Sequence, residues 1–521
     1  MRDARIDGKT EPAKGVRLYH PGVNIMLHGM TNSIQSEGIA MNTSTATPIV
    51  VDLDGTLTPT DTLVESLVRL VKQSPLNLPR LALWLFKGRA GFKSAVAAQV
   101  PPPRILPYHE PLLTYLREEK AKGRKIVLAT AAHRSIADGV ATHLDLFDQV
   151  LASDADLNLK GAAKLRAIRE TVGESFVYAA DSPADLQIWQ AATAAILVNV
   201  APRTADQVRR AVPIEHEFPP ETIGLVVWLQ ALRVHQWLKN LLLFVPLLTA
   251  FSFTDISKLT SMVLAFLAFS FAASATYMVN DLWDLENDRA HPRKRLRPFA
   301  SARLPILNGL AVAAGVLLLA FGLAFTVSTG FFLMLLLYLV LTSAYSWVLK
   351  EYVLIDVLML SLLYTLRILA GSVAVGIATS SWLLAFSVFM FLSLALVKRC
   401  AELVSLGEIG AAATLGRDYR VSDLVVLWPL GVGAALSAVV VFGLFISAPE
   451  TQSRYGTPQM LWLVAIGLIY WLARLWVKTS RGEMHDDPLV YAITDLGSRI
   501  TVFGMIAVML AAHFLTLGLS L

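Results

Sequence analysis

Charge and cysteine are both scarce in this sequence. Charged residues make up only 16% of its 521 residues, whereas 55% are hydrophobic and the mean hydropathy is +0.55. Such a composition excludes a wholly soluble enzyme and predicts that much of the chain lies in lipid. The single cysteine, Cys400, excludes disulfide bonds within one chain and cysteine metal sites, and its apolar surroundings indicate a small buried side chain.

A secretory signal is also missing. Residues 1–47 have no continuous apolar core and are rich in Gly, Ser, Thr and Asn, so we predict a disordered tail. The domain that follows is expected to stay in the cytoplasm unless the first membrane helix inserts in reverse. The formal net charge of +5 comes from basic residues near the ends of apolar segments, where membrane topology explains them. We therefore predict no nucleic-acid partner.

Long apolar runs are rare before about residue 221 and frequent after it. We predict a soluble domain over residues 48–215 and an all-α membrane domain over 222–521. Nine runs have the roughly 20-residue length that crosses a bilayer core. They are 226–250, 257–280, 304–326, 330–349, 353–376, 381–403, 423–446, 460–478 and 498–520.

The connections after the even-numbered runs carry most of the basic residues, such as Arg293 and Arg481. Because basic connections stay inside, this predicts an integral cytoplasmic (inner) membrane protein with a cytoplasmic soluble domain and an external C-terminus. Polar residues of the runs gather toward the cytoplasmic side, which predicts one polar cavity there. They are Lys239, Asn280, Asp281, Asp284, Tyr345, Asp356, Arg367, Lys398, Arg399 and Glu402.

Three carboxylates close the second run. Asp281, Asp284 and Asp288 share one face if the helix continues through them. Their repulsion favours a divalent cation, and Mg²⁺ with a diphosphate is the usual arrangement. Asn280 can add an amide oxygen or orient a phosphate. The alternative is a solvated acidic helix end, but such an end has no reason to be followed by a dense basic run.

That basic run, residues 291–298, supplies cations for phosphate oxygens through Lys294, Arg295 and Arg297. Anchoring at the cytoplasmic face of the membrane explains one or two cations of this region. It does not explain the carboxylates beside them.

These residues resemble the hallmark of the UbiA superfamily of intramembrane prenyltransferases, which is N-D-x-x-D-x-x-x-D followed by a basic stretch and R-P. The resemblance covers about residues 225–521, including the number of helices. Aromatic prenyltransferases of that family carry a second D-x-x-x-D motif. Here Asp356 is followed by Leu360 at the partner position, so the second motif is incomplete.

Further stretches look like the decaprenyl-phosphate phosphoribosyltransferase branch of the family. That likeness implies 5-phosphoribosyl 1-diphosphate as donor and a polyprenyl phosphate as acceptor, two anionic ligands that call for many cations. The matching substrate-binding candidates are Lys239, Asn240, Tyr345, Lys350, Asp356, Lys398, Arg399 and Glu402, with Arg367 as a further cation.

In the implied mechanism, Asp281 and Asp284 bind Mg²⁺, and the sequence leaves open whether Asp288 also binds it. The ion neutralises the diphosphate as it leaves. The lipid phosphate is already ionised and needs no general base. Asp356 either binds ribose hydroxyls or a second metal, or it pairs with Arg367 or Lys350.

A second motif lies in the soluble domain, where residues 49–56 form an apolar strand ending in D-x-D-G-T. It resembles the haloacid-dehalogenase superfamily of phosphatases, whose later signatures follow in order. They are a strand ending at Thr130, a lysine at Lys164 or Lys160, and Asp181 with Asp185 after the strand at 176–180.

The resemblance implies an α/β Rossmann-like domain in which Asp52 is the nucleophile and Asp54 the general acid and base. Thr130 and the lysine would hold phosphate. Mg²⁺ would be bound by Asp52, Asp54 and Asp181, with Asp185 nearby. The alternative is a folded but inactive domain.

A helical insertion at about 61–105 predicts a cap over this site. Its apolar run at 81–86 suits packing within the cap or contact with an anionic membrane.

The two halves suggest one hypothesis: the transferase makes a lipid-linked ribose 5-phosphate and the phosphatase removes that phosphate. One alternative is a prenyltransferase that uses a prenyl diphosphate and an aromatic acceptor. Another is an ion-coupled transporter, which predicts carboxylates near the bilayer midplane. The sequence leaves a homo-oligomer open.

Overall fold

The computed structural model describes residues 47–516, except 75–76, 87, 100–104, 155–156, 221–223, 409, 411–416 and 485–487. The predicted disordered tail therefore lies outside the described residues, apart from Thr47. Within the described part, an α/β domain precedes a helical membrane domain, as the sequence indicates.

A six-stranded parallel sheet with the order β3-β2-β1-β4-β5-β6 forms the centre of the soluble domain. Chain direction across the sheet reverses between β1 and β4, so loops after these two strands meet at one edge. Short apolar runs build the strands, and most are fully buried. The strands are β1 Ile49–Val51, β2 Ile126–His133, β3 Gln149–Ser153, β4 Val177–Ala180, β5 Ala194–Val198 and β6 Ile214–Phe218.

Helices cover both faces of the sheet, and a separate apolar core lies on each side. Three of them, α1 to α3, lie in the insertion that the sequence predicts as a cap. The helices are α1 Thr62–Gln73, α2 Asn77–Leu85, α3 Gly88–Gln99, α4 Glu110–Ala121, α5 Arg134–Leu144, α6 Ala162–Val172, α7 Leu186–Ala191 and α8 Pro202–Ala211.

Eight helices in the described residues are long and apolar enough to cross a membrane, and their bounds lie within a few residues of eight predicted runs. Their bounds, with the shorter helices between them, are α9 Leu225–Ala231, α10 Val245–Thr249, α11 Ile256–Trp283, α12 Leu285–Ala290, α13 Ile306–Val327, α14 Thr329–Trp347, α15 Ile355–Val375, α16 Ser381–Glu408, α17 Leu424–Ser447, α18 Pro449–Arg454, α19 Leu461–Ser480, α20 Pro488–Thr494 and α21 Leu496–Phe514.

The predicted first span, 226–250, is not one helix, so nine membrane helices are not confirmed. It consists of α9, the 3₁₀ helix Val234–Phe244 and α10. Its side chains follow α11 in the opposite direction: Trp237 donates to Ser274 at 2.9 Å, and Asn240 to Ser270 at 3.0 Å. These polar residues explain the break, because their hydrogen bonds to α11 fix a path that one regular α-helix does not follow.

Candidate active sites

A carboxylate cluster lies at the edge where β1 and β4 end. Asp52 follows β1 and Asp181 follows β4, and oxygens of Asp52, Asp181 and Asp185 lie within 4.8 Å of one another. The ammonium group of Lys164 lies 2.9 Å from Asp52 and 3.7 Å from Asp185. Of the two candidate lysines, Lys164 is therefore the one that contacts Asp52, the predicted nucleophile.

This cluster fits a divalent cation. Hard cations such as Mg²⁺ take carboxylate oxygens, and gathering three carboxylates without one is unfavourable. Gly55 has a φ of +79°, and a Cβ on it would lie 2.3 Å from Asp181, so only glycine allows the loop this close. The set differs from the predicted ligands in that Asp185 replaces Asp54. The carboxylate of Asp54 instead accepts the backbone N–H of Thr62 at 2.9 Å.

Burial changes the protonation of these acids. It raises the pKa of Asp54 to about 7, with Asp61 adding to the effect. It raises the pKa of Asp181 to about 7 as well, together with the charge of Asp52. A carboxyl group that still carries its proton near neutral pH can act as a proton donor, which is the role that the sequence predicts for Asp54.

The cap reaches this site through Lys93 of α3, which donates to the carbonyl of Ala131 at 2.6 Å and to Asn158 at 3.2 Å. Burial lowers the pKa of Lys93. Thr130 is fully buried, and its hydroxyl accepts the N–H of Ala132 at 3.0 Å. Ala131 and Ala132, directly after it, line the cavity above the carboxylates.

A second acidic group ends the long helix α11. Asp281 accepts from Arg233 and from Arg297, the latter at 3.0 Å, and Arg297 also contacts Asp288 at 2.6 Å. Asp281 and Asp288 are buried, and buried carboxylates need such partners. The more exposed Asp284 interrupts the helix between α11 and α12, so the three acids do not lie on one continuous helix.

Two lysines lie near Asp284: Lys72 of α1 at 3.9 Å and Lys350 at 4.0 Å. Within the described ranges, Asp281, Asp284 and Asp288 do not form a three-ligand group as tight as that of the soluble domain. Arg297 instead bridges Asp281 and Asp288. The acidic and basic halves of the motif nevertheless meet at one place, as the sequence predicts.

Other predicted residues surround this place. Asn280 donates to Ser346 at 3.2 Å, and Tyr345 interacts with Arg417. Lys294 and Arg295 are exposed. In a neighbouring small pocket, Lys239 and Lys398 lie with the ring of Tyr364, which stands 5.9 Å from the Lys239 ammonium group.

Asp356 belongs to a buried ion-pair cluster. Its two carboxylate oxygens accept from Arg399 at 2.6 Å and from the Tyr419 hydroxyl at 2.5 Å. Arg399 also binds Glu402, which Arg417 contacts at 3.4 Å. The predicted pairing of Asp356 with Arg367 or Lys350 is therefore wrong, because its partners are Arg399 and Tyr419.

Arg367 lies in a separate network inside the helix bundle. It donates to Asn240 at 3.0 Å, to the carbonyl of Leu363 at 2.6 Å and to the Tyr338 hydroxyl at 3.3 Å. The aromatic rings of Phe269, Tyr338 and Tyr364 surround its guanidinium group. Asn240 and Arg367 thus hold each other within the bundle.

The sequence did not single out several residues of these sites. Arg233, Arg417 and Tyr419 contact predicted site residues, and Lys72 reaches Asp284 from the soluble domain. Arg233 could have been identified from the sequence, because a charged residue inside an apolar run indicates a functional site. The others depend on how separate segments pack, which no local pattern reveals.

Residues 241–496 match the UbiA prenyltransferase family, and residues 49–190 match the haloacid dehalogenase-like hydrolases. The uncharacterized protein y4nM of Sinorhizobium fredii is 40% identical over 455 residues, which cover 86% of this chain and 87% of that protein. The chain belongs to the UbiA prenyltransferase family. It also carries an N-terminal haloacid-dehalogenase-like domain, and both predicted families are confirmed.

Other proteins are similar to this chain over shorter stretches. Nodulation protein NoeC of Azorhizobium caulinodans is 36% identical, covering 54% of this chain and 92% of that protein. Decaprenyl-phosphate phosphoribosyltransferase of Corynebacterium glutamicum is 33% identical, covering 45% of this chain and 72% of that enzyme. The structure of a UbiA homolog from Archaeoglobus fulgidus bound to GPP and Mg²⁺ aligns with a TM-score of 0.43 and 17% identity, covering 56% of this chain and 100% of that one.

Proposed function

We propose that the membrane domain transfers a 5-phosphoribosyl group from phosphoribosyl diphosphate to a polyprenyl phosphate, with Mg²⁺ as cofactor. The carrying observation is the meeting of Asp281, Asp284 and Asp288 with the cations Arg297 and Lys350 at the end of α11. Acids that hold a metal and cations that hold phosphate oxygens are the two requirements of a diphosphate site. Relatives that bear the phosphoribosyltransferase name support this donor.

The residues of this site would act by charge and position. Asp281, Asp284 and Asp288 would hold Mg²⁺, and the ion would supply positive charge to offset that of the diphosphate leaving group. Arg297 and Lys350 would bind phosphate oxygens once the donor is present. The acceptor phosphate needs no base, because it is ionised at neutral pH.

We also propose that the soluble domain removes the 5-phosphate of the lipid product. Asp52 would attack phosphorus, while Asp54 gives its proton to the departing sugar oxygen. Water would then break the aspartyl phosphate, with Asp54 taking its proton. Lys164 lies 2.9 Å from Asp52 and would neutralise the phosphate there, and Asp181 and Asp185 would complete the Mg²⁺ site.

Donor-dependent release of diphosphate tests the transferase. Purified protein in detergent receives Mg²⁺ and polyprenyl phosphate with phosphoribosyl diphosphate, or an aromatic acid with a prenyl diphosphate. We expect diphosphate release with the first pair. Turnover with the second pair alone would contradict the proposal and establish the aromatic prenyltransferase alternative.

The state of Asp356 favours the phosphoribosyl donor over the prenyl one. Aromatic prenyltransferases of this family carry a second acidic motif, D-x-x-x-D. In this chain Asp356 is the first acid of that motif, and it is buried and bound to Arg399 and Tyr419. Both carboxylate oxygens of Asp356 accept a hydrogen bond, whereas the arginine contacts of Asp281 and of Asp288 each use one oxygen. We therefore assign Asp356 to folding rather than to a second metal site. The name of NoeC states a process and no reaction, so it supports neither donor.

We further propose that the protein is an inner-membrane protein with its soluble domain in the cytoplasm and its C-terminus outside. Arg233, at the start of the segment after α9, binds Asp281 at the acidic end of α11. This segment leads to Phe251, which stacks on His513 near the end of α21. The C-terminal helix therefore ends on the side of the bundle opposite to the acidic motif. Reporter fusions after Phe514 that are active only outside would support this orientation.

A further inference from the structure

The cavity above the phosphatase carboxylates is built by both domains. Its volume is about 690 Å³. The sheet supplies Asp52, Asp54 and Asp181 at one end, and the cap supplies Lys93 and Val96. Further residues of the soluble domain line it, and another part of the wall comes from the membrane domain, through Phe299, Ala302, Leu304, Pro305, Ile306, Leu307 and Asn308. The soluble domain alone therefore does not enclose its own active site.

This membrane-domain wall is one short segment that also reaches the transferase site. The segment, residues 297–308, begins with Arg297, which binds Asp281 and Asp288. Phe299 then packs so closely on α13 that a Cβ on Gly309 would lie 2.2 Å from its ring. Arg289 donates to the carbonyl of Ala300 at 3.0 Å. These contacts fix the segment between the two sites.

The chemistry of the cavity changes along its length. Carboxylates and lysines lie at the catalytic end, whereas the membrane-domain wall is mainly apolar. That wall includes the first turn of α13, a membrane span, so it lies where the span meets the membrane surface. Leu307 lines the cavity and is also 60% exposed, and Leu310, one turn further along α13, is 52% exposed, so the cavity borders an apolar surface at the start of this span.

We propose that the 297–308 segment selects a phosphomonoester that remains attached to a membrane lipid, and that Leu307 is a specificity-determining residue of the phosphatase. This inference rests on the proposed function and deepens it, because it assigns the lipid selectivity to the membrane domain. A phosphate fills a small part of the cavity, and the apolar wall guides the chain that links the headgroup to the bilayer. A free sugar phosphate gains nothing from that wall.

The test compares two substrates of full-length protein in nanodiscs. One is polyprenyl-phosphoryl ribose 5-phosphate and the other is free ribose 5-phosphate, and inorganic phosphate release gives kcat/KM for each. We expect the lipid-linked substrate to be preferred at least about tenfold, and Leu307→Trp to lower that preference at least about fivefold. The exposed position makes Leu307→Trp compatible with folding, which its apparent Tm checks.

Leu310→Trp is the matched control, because Leu310 is one turn further along α13, 52% exposed and outside the cavity wall. We expect the preference of this variant for the lipid-linked substrate to stay within about twofold of that of the wild type. An equal rate on both substrates, or a smaller effect of Leu307→Trp, would overturn the inference. Diphosphate release from phosphoribosyl diphosphate, measured on the same samples, shows separately whether the transferase assignment holds.

Discussion

Glu65 and Arg289 form a buried, bidentate ion pair that joins the haloacid-dehalogenase-like domain to the acidic motif of the membrane domain. The two guanidinium nitrogens of Arg289 donate to the carboxylate at 2.7 and 2.6 Å. Arg289 directly follows Asp288, and Glu65 lies on α1, whose first N–H binds Asp54. One helix therefore contacts both active sites.

Breaking this ion pair should loosen the junction between the domains. Arg289→Ala leaves Glu65 as a buried charge without its partner, which costs about 3–5 kcal/mol. The expected result is a clearly lower apparent Tm in detergent, with both activities reduced. The control is Arg209→Ala, which removes ion pairs with Asp206 and Glu217 that are exposed to solvent and therefore contribute little to stability. Equal Tm values for the two variants would contradict a junction held by Glu65 and Arg289.

The two chemistries should be separable by single substitutions. Asp52→Asn removes the proposed nucleophile and should lower phosphate release roughly 10³-fold, while diphosphate release continues. Asp281→Asn should lower diphosphate release about 10²-fold or more, because a charge-stabilising group is lost. Each variant is the control for the other. Loss of both activities in either variant would mean that the assigned sites are not independent.

Lys72 should contribute to the transferase although it belongs to the phosphatase domain. It lies 3.9 Å from Asp284 and donates to the carbonyl of Trp283 at 2.7 Å, where α11 ends. Lys72→Met keeps the length of the side chain and removes its charge, so we expect diphosphate release to fall about three- to tenfold. Lys122→Met, at an exposed pair with Glu119, should leave it unchanged. A rate for Lys72→Met equal to that control would exclude the contribution.

Local patterns were sufficient for much of this fold. The bounds of α11 and α17 follow from the length of their apolar runs, and Asp52 and Asp181 meet because their strands are neighbours in a parallel sheet. These features depend on a few adjacent residues. The roles of the assembled side chains remain predictions.

Contacts between distant segments could not be predicted in the same way. Asp356 binds Arg399 and Tyr419, which are 43 and 63 residues away, and nothing in the sequence ranks them above Lys350 or Arg367 as partners. The 3₁₀ path of Val234–Phe244 depends on hydrogen bonds to α11. Such features arise from packing, so they require the assembled structure.

Binding of Mg²⁺ should stabilise the phosphatase domain. A ligand present at 100 times its Kd adds about 2.7 kcal/mol to the folded state, so Mg²⁺ should raise the apparent Tm. Asp185→Asn should reduce this rise, because Asp185 contributes one of the three clustered carboxylates. Ca²⁺ and a monovalent salt at equal ionic strength separate specific binding from screening. An undiminished rise in Asp185→Asn would contradict the assigned ligand set.

Tyr419→Phe tests whether Asp356 has a structural role. The hydroxyl of Tyr419 donates to Asp356 at 2.5 Å, and both residues are fully buried. Its removal leaves one carboxylate oxygen without that donor, which costs about 1–3 kcal/mol. We expect a lower apparent Tm with the KM for phosphoribosyl diphosphate unchanged, since Arg399 still holds Asp356 within the bundle. An increased KM at an unchanged Tm would show instead that this cluster binds the donor.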